Sequence, residues 1–284
     1  MPALAASSTT SRDAARPREL ILTFYGLYRE VVRGWVSIAH LIRLMAEVDV
    51  DAPAVRSAVS RLKRRGLIEA RAVAGAAGYS LSPAGQQLLA EGDPRIFGRQ
   101  PAQLSDGWVL AVFSVPESER GKRHVLRSRL DQLGFGSAAS GVWIAPQQLA
   151  EEARHRVGTL GLTDYVELFE GARMPLAQLR ATVGQWWDLA ALAEGYDGFC
   201  ATHEPVMRRW SRQRRPGDAA AFADYMRVVD SWRKIVYRDP RLPAELLPAD
   251  WVGSRAERIF FGLHAALRGA AEKHVISVLE SVSG

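Results

Sequence analysis

The chain of 284 residues is 48% hydrophobic and 24% charged, the composition of an ordinary soluble globular protein with room for two or three domains. No apolar run approaches the ~20 residues that cross a bilayer, the opening MPALAASSTTSRDAARP has neither the basic start nor the apolar core of a secretory signal, and a single cysteine, Cys200, excludes an internal disulfide and a cysteine-rich zinc site. The formal charge of +6 is uneven, with 14 Lys+Arg against 9 Asp+Glu in residues 1–100 and 23 against 22 in residues 101–284, so nearly all the basic excess suited to a polyphosphate partner sits at one end.

Residues 1–17, rich in Ala, Ser and Thr, read as a disordered tail, and the absence of a signal gives a cytoplasmic location as the expectation. Glu19–Val31 reads as a first helix, with Leu20, Phe24, Leu27, Tyr28 and Val31 on one face. Ser37 caps a second, on which Ile38, Leu41, Ile42 and Met45 repeat at helical spacing. Asp51 then caps a third and Pro53 fits its first turn, where a missing N–H costs nothing. Val55, Ala58, Val59 and Leu62 form its apolar stripe, and Gly66 ends it. The opposite face carries Arg56, Ser57, Ser60, Arg61 and Arg64, with Lys63 and Arg65 beside it. Small hydroxyl and arginine side chains on an exposed helix suit base edges and phosphates in a major groove. A solvated basic helix would read the same way in isolation; the flanking elements decide between the two.

Strands at Leu67–Val73 and Tyr79–Leu81, joined through Gly75–Gly78, follow with Arg71 as the nearby cation, and Ser82-Pro83 starts another helix. Helix, helix, turn, basic helix and β-hairpin is the order of a winged helix-turn-helix, spanning 18–92. A linker is expected at 93–106, with two prolines and a glycine. In 107–172, strands at Trp108–Val115, Phe135–Ala138, Val142–Ala145 and Asp164–Phe169 alternate with helices at Glu117–Leu133 and Gln147–Leu160. Val125, Leu126, Leu130 and Leu133 are placed inward, and the βαββαβ order is that of a ferredoxin-like plait. Residues 173–284 read as a helical domain, with helices at Leu176–Leu192, Tyr196–Gln213, Asp218–Tyr237 and Arg255–Val282 and with Trp186, Trp187, Trp210, Trp232 and Trp251 as its core. The fold class expected is α+β: winged helix-turn-helix, plait, helical C-terminal domain.

Signatures of catalysis are lacking. Gly134-Phe135-Gly136 with Gly141 follows a helix rather than a strand, at the wrong spacing for a dinucleotide loop. No Walker A lysine motif or G-x-S-x-G elbow is present, and His203-Glu204 lacks the second zincin histidine because Met207 stands there. Cys200 beside His203 reads as a buried thiol. No catalytic residue, metal or cofactor is expected. Arg208, Arg209, Arg212, Arg214 and Arg215 form a cation cluster of the kind that would hold a polyphosphate ligand, or else a solvated helix end.

Taken together, VRSAVSRLKRRGLIEA (55–70), YSLSPAG (79–85), WVLAVFSVPE (108–117), LGFG…GVWIAP (133–146) and RDPRLPAELLPADW (238–251) give a chain that resembles the PaaX family of bacterial transcriptional repressors over Leu20 to Ser281. The resemblance implies control of aromatic, phenylacetate-type catabolism, operator DNA bound as a homodimer, and release by an acyl-CoA such as phenylacetyl-CoA. One departure is Ser114, where the family often has Asp; related ferredoxin-like nucleases place a metal-binding Asp near that point, so the serine weighs against catalysis. The competing class is a protein-interaction or nucleic-acid-processing module in which the plait acts. A repressor leaves DNA uncut with Mg²⁺ or Mn²⁺; a processing module does not.

Overall fold

A computed structural model describes residues 6–98, 101–212 and 217–281, with side chains from Pro17 onward. It is mixed α and β, mostly helical, with two small antiparallel sheets. The chain forms two compact units, each drawn from separate stretches. The first holds the described residues of Met1–Phe97, Ala201–Trp232 and Glu257–Gly284; the second holds those of Gly98–Cys200 and Arg233–Ala256. The stretch expected as one helical domain, 173–284, is therefore shared out between them.

The first unit begins with α1 (Ala6–Tyr28), β1 (Trp35–Ser37), α2 (Ile38–Ala46) and α3 (Ala52–Arg64), then β2 (Ile68–Val73), β3 (Ala76–Leu81) and α4 (Pro83–Phe97). α1 starts inside the stretch expected as a tail, and residues 1–5 of that expectation lie outside the described residues. Its buried Leu20, Ile21, Phe24, Tyr25 and Tyr28 meet the apolar stripe of α3. α2 starts on Ser37, whose hydroxyl accepts from the His40 N–H at 3.1 Å, and buries Leu41, Leu44 and Met45.

The sheet order is β1-β3-β2. The turn between β2 and β3 is Ala74-Gly75, not Gly75–Gly78, because Val73 pairs with Ala76. Both turn residues have positive φ, 50° and 81°, which matches the twist of a two-residue hairpin. β3 is thereby longer than expected, and Gly78 is enclosed in it: a Cβ there would run into the Val36 carbonyl and the Trp35 ring. The expected linker at 93–106 is also shorter. α4 continues through Pro94 to Phe97, helped by an ion pair from Arg29 to Asp93 at 2.6 Å, and Leu104–Asp106 forms a 3₁₀ turn. Residues 99 and 100 of that expectation lie outside the described ones.

Three later helices supply the rest of the first unit: residues 201–212 of α8 (Leu189–Arg212), 218–232 of α9 (Asp218–Val236) and 257–280 of α10 (Gly253–Glu280). Trp232 stacks on Phe260 with ring centroids 4.6 Å apart, and its indole N–H reaches the Ile96 carbonyl at 3.0 Å.

The second unit is organised on β4 (Trp108–Phe113), one of the two inner strands in the order β5-β6-β4-β7, where β5 is Gly136–Ala139, β6 Val142–Pro146 and β7 Val166–Ala172. Its side chains alternate between two cores, as a pleated strand requires. Val109, Ala111 and Phe113 pack with α5 (Arg120–Gln132) and α6 (Ala150–Thr159) through Leu126, Leu130, Ala153 and Val157. Trp108, with Leu110 beside it, packs on the other face with Leu179 and Val183 of α7 (Leu176–Trp186) and with Trp187. Val125 is 37% exposed rather than inward, since Leu126, Leu130 and Leu133 already complete the buried seam of α5.

The expected helix 176–192 is broken. Trp187 is extended, and the Asp188 carboxylate caps the next helix by accepting from the Ala191 N–H at 2.9 Å. Trp187, Trp210 and Trp232 are buried and Trp186 and Trp251 half-buried, but Trp187 belongs to the core beneath the sheet rather than to a helical bundle.

Candidate nucleic-acid interface

The local sequence builds α3 as a surface helix with a fixed start. Asp51 is extended, and its carboxylate accepts from the Ala54 N–H at 2.8 Å; Pro53 occupies the first turn. Val55, Ala58, Val59 and Leu62 are buried, which orients the other face outward. Arg56, Ser57, Ser60, Lys63, Arg64 and Arg65 are exposed and Arg61 is half-buried. None of these five arginine and lysine side chains makes an ion pair or side-chain hydrogen bond among the described residues. Unpaired guanidinium groups keep all their donors for a partner.

The exit of α3 is held equally firmly. Gly66, at φ 69°, lets the Leu67 N–H return to the Leu62 carbonyl at 3.1 Å. The Ser82 hydroxyl donates to the Gly66 carbonyl at 2.5 Å and accepts from the Gly85 N–H at 3.0 Å. The hairpin behind is fixed to α1 by the Tyr25 hydroxyl, which donates to the Tyr79 carbonyl at 2.9 Å. Burial pushes the Tyr25 phenol well above its usual range, so it remains a donor at all ordinary pH values. Arg71 is exposed on β2, where its carbonyl accepts from the Trp35 indole N–H at 3.0 Å.

The cluster expected to hold a ligand differs from that picture. Arg208 and Arg212 are exposed near the end of α8, while Arg209 pairs with Asp224, which also accepts from the Trp210 indole at 2.7 Å. Arg214 and Arg215 lie outside the described residues. Arg209 thus has an intramolecular carboxylate, unlike the cations of α3.

Sequence reasoning missed two cavities in the second unit, of about 410 and 340 Å³. The first is lined by Phe135, Trp186, Trp187, Leu189, Leu192 and Ile235; the second has Arg129, Arg156, Lys234 and Arg238 against Glu152. Lys234 and Arg238 line both. Their signal is spread over four separate stretches of sequence, each ordinary by itself. Among the described residues no cluster of His, Cys, Asp and Glu could hold a metal ion, and no helix is long and apolar enough to cross a membrane.

Three family models account for most of the chain in order: a PaaX-like protein model at residues 16–85, the PaaX protein central Cas2-like domain at 101–183, and the PaaX-like protein C-terminal domain at 187–277. The chain belongs to the PaaX-like family. This PaaX-like chain is 28% identical over 276 residues to the transcriptional repressor PaaX of Escherichia coli (strain K12), covering 92% of this chain and 85% of that protein. In fold it is similar to the uncharacterized protein Rv0674 from Mycobacterium tuberculosis, with a TM-score of 0.56 at 21% identity, over 89% of this chain and 96% of the other. The α3 segment falls in the first family model, and the residues lining the two cavities, Trp186 apart, fall in the second and third.

Proposed function

We propose that this chain is a dimeric, cytoplasmic, DNA-binding repressor of an aromatic-acid (phenylacetate-type) catabolic operon, released from its operator by an acyl-CoA effector. The observation that carries the DNA reading is the outer face of α3: a capped helix whose arginine and lysine side chains have no ion-pair or side-chain hydrogen-bond partner among the described residues. In this reading residues 18–92 act as a winged helix-turn-helix and 107–172 as a ferredoxin-like plait joined by a linker within 93–106. The strand orders β1-β3-β2 and β5-β6-β4-β7 support those two assignments. Residues 173–284 supply the helical part.

Arg56, Ser57, Ser60 and Arg61 read base edges from the first turns of α3, while Lys63, Arg64, Arg65 and Arg71 contact phosphate. The repressor function is transferred from the similar Escherichia coli protein. The effector reading is supported by the paired cavities, where an aromatic-walled chamber adjoins one rich in arginine and lysine, as an acyl group linked to phosphates requires. Arg208, Arg209 and Arg212 are the alternative anchor, weakened by the pairing of Arg209 with Asp224.

Footprinting on the promoter of its own gene tests the proposal. The protein is expected to protect a palindrome, to leave the DNA uncut with Mg²⁺ or Mn²⁺, and to be released by phenylacetyl-CoA. Cleavage, or equal affinity for every duplex, would overturn it.

A further inference from the structure

α2 and α3 are joined through Glu47–Val50, and that stretch is gripped by two later helices of the same unit. α2 ends in a Schellman-type turn: the Asp49 N–H bonds the Ala46 carbonyl at 3.1 Å and the Val50 N–H bonds the Met45 carbonyl at 3.0 Å. Such a turn needs a left-handed residue, and Asp49 supplies it with φ 64°. α3 and α5 end the same way on Gly66 and Gly134, where no Cβ opposes the conformation. A side chain is kept in that strained region when surrounding contacts over-determine it.

Those contacts come from Arg227 of α9 and His274 of α10. The Arg227 guanidinium donates to the Asp49 carboxylate at 2.8 Å and to the Glu47 carbonyl at 3.3 Å. His274 Nε2 lies 2.9 and 2.8 Å from the two Glu47 carboxylate oxygens, with both side chains mostly buried and the imidazole ring 5.6 Å from that of Phe222. Val48 and Val50 are buried in the same turn. Along α2, Arg43 donates to the Ser281 hydroxyl at 2.8 Å and His40 Nε2 lies 3.3 Å from the Ser281 carbonyl. Asp51, which caps α3, follows the turn immediately. Any shift of the turn is therefore delivered to the first turns of α3, from which Arg56 and Ser57 project.

We infer that Arg227 and His274 are positioning residues for sequence reading, setting where α3 begins by holding Asp49 and Glu47 without themselves contacting DNA. The inference rests on the reading of α3 as the DNA-reading helix. It adds that the two C-terminal helices can alter base readout by loosening one turn.

The test compares full-length wild type with Arg227→Ala, Arg227→Lys, Asp49→Gly and His274→Phe. Asp49→Gly keeps the left-handed turn and removes the ion pair together with the Cβ that opposes that conformation, so its change should be smaller than that of Arg227→Ala. Amide exchange without DNA is expected to speed up across residues 48–55 in Arg227→Ala, Asp49→Gly and His274→Phe, and to return toward wild type in Arg227→Lys. Operator affinity should fall about threefold in Arg227→Ala and somewhat less in Asp49→Gly, the scale for loss of an ion pair whose Asp49 side is largely exposed, and about tenfold in His274→Phe, which leaves the mostly buried Glu47 carboxylate without its partner, with random-duplex affinity and salt slope unchanged. Unchanged exchange in Arg227→Ala and Asp49→Gly would overturn the inference. So would an equal loss on both duplexes with a shallower salt slope, the mark of a lost phosphate contact. Wild-type protein that does not discriminate between duplexes would instead defeat the reading of α3, while the exchange measurement still decides whether the grip exists.

Discussion

Arg56 and Arg61 stand on the outer face of α3 without a carboxylate partner among the described residues, one near the start of the helix and one further along, whereas Arg64 lies at its last turn. An arginine bidentate to guanine contributes about 1–3 kcal/mol of discrimination, and a phosphate contact contributes none. Arg56→Ala or Arg61→Ala should therefore weaken operator binding more than random-duplex binding and relax preference at one base pair. Arg64→Ala should weaken both alike and lower the salt slope by about one unit per half-site contact. Val59→Ala is the control: it removes buried methyl groups, so it should cost about 2 kcal/mol of stability while leaving the specificity ratio intact. Binding isotherms on both duplexes across a salt series separate these outcomes, and an unchanged ratio in both Arg56→Ala and Arg61→Ala would remove α3 as the reader. His203 makes a different prediction. It is 3% exposed, and burial pushes its imidazole down to about 4, with Asp224 acting the other way. Between about pH 4 and 6.5 the unfolded chain then binds the extra proton, so the stability this group contributes is complete above 6.5 and is lost as pH falls toward 4. Urea unfolding at pH 7 and 4.5 should show a drop smaller by roughly 2 kcal/mol in His203→Gln than in wild type. Equal drops in the two proteins would contradict it.

Among the elements, those with strong local signals were legible in the sequence. α3 was readable because an aspartate cap, an early proline, a four-residue apolar stripe and a terminal glycine all agree on one helix. A cap with that much influence should be measurable: Asp51→Ala is expected to cost about 1 kcal/mol by thermal unfolding and to speed amide exchange in the first turn of α3, and no change in either would mean that burial alone holds the helix. Errors arose where two physical signals compete. Pro94 reads as a breaker, yet α4 runs through it because Asp93 is paired to Arg29 and the helix end is packed. Leu176–Leu192 carries one helical periodicity, and only the Asp188 cap reveals that the chain turns extended at Trp187. At the hairpin, glycines at 75 and 78 both suggest a turn. The pairing of Val73 with Ala76 assigns the turn to the first, and Gly78 is instead needed for close approach to β1. The grip on Glu47 and Asp49 was illegible because its donors lie 178 or more residues away, and neither Arg227 nor His274 belongs to a local motif.

On the scale of the whole molecule, the proposed repressor has to connect a site that reads DNA with a site that holds an effector. An effector releases DNA only if it prefers the arrangement that binds DNA poorly, and the coupling is reciprocal: operator must lower effector affinity by the factor by which effector lowers operator affinity. Symmetry adds a second constraint, since a homodimer reading a palindrome places its half-sites about one turn of 10–10.5 bp apart, or a multiple of it. Light scattering at micromolar concentration should accordingly give a dimer, and inserting 5 bp between half-sites should abolish tight binding, while a 10 bp insertion should be less damaging. The effector half is tested by calorimetry with phenylacetyl-CoA, with and without operator. Arg238→Ala should weaken binding of the thioester through loss of a phosphate-class contact, and Trp186→Ala should weaken it through the acyl end; Arg208→Ala should leave it unchanged. If Arg208→Ala is the damaging substitution and Arg238→Ala is silent, the effector belongs at the end of α8 and the cavities of the second unit serve some other purpose. A monomer bound to one unrepeated half-site would remove the symmetric arrangement, leaving the reading of single sites by α3 to be judged by the arginine variants alone.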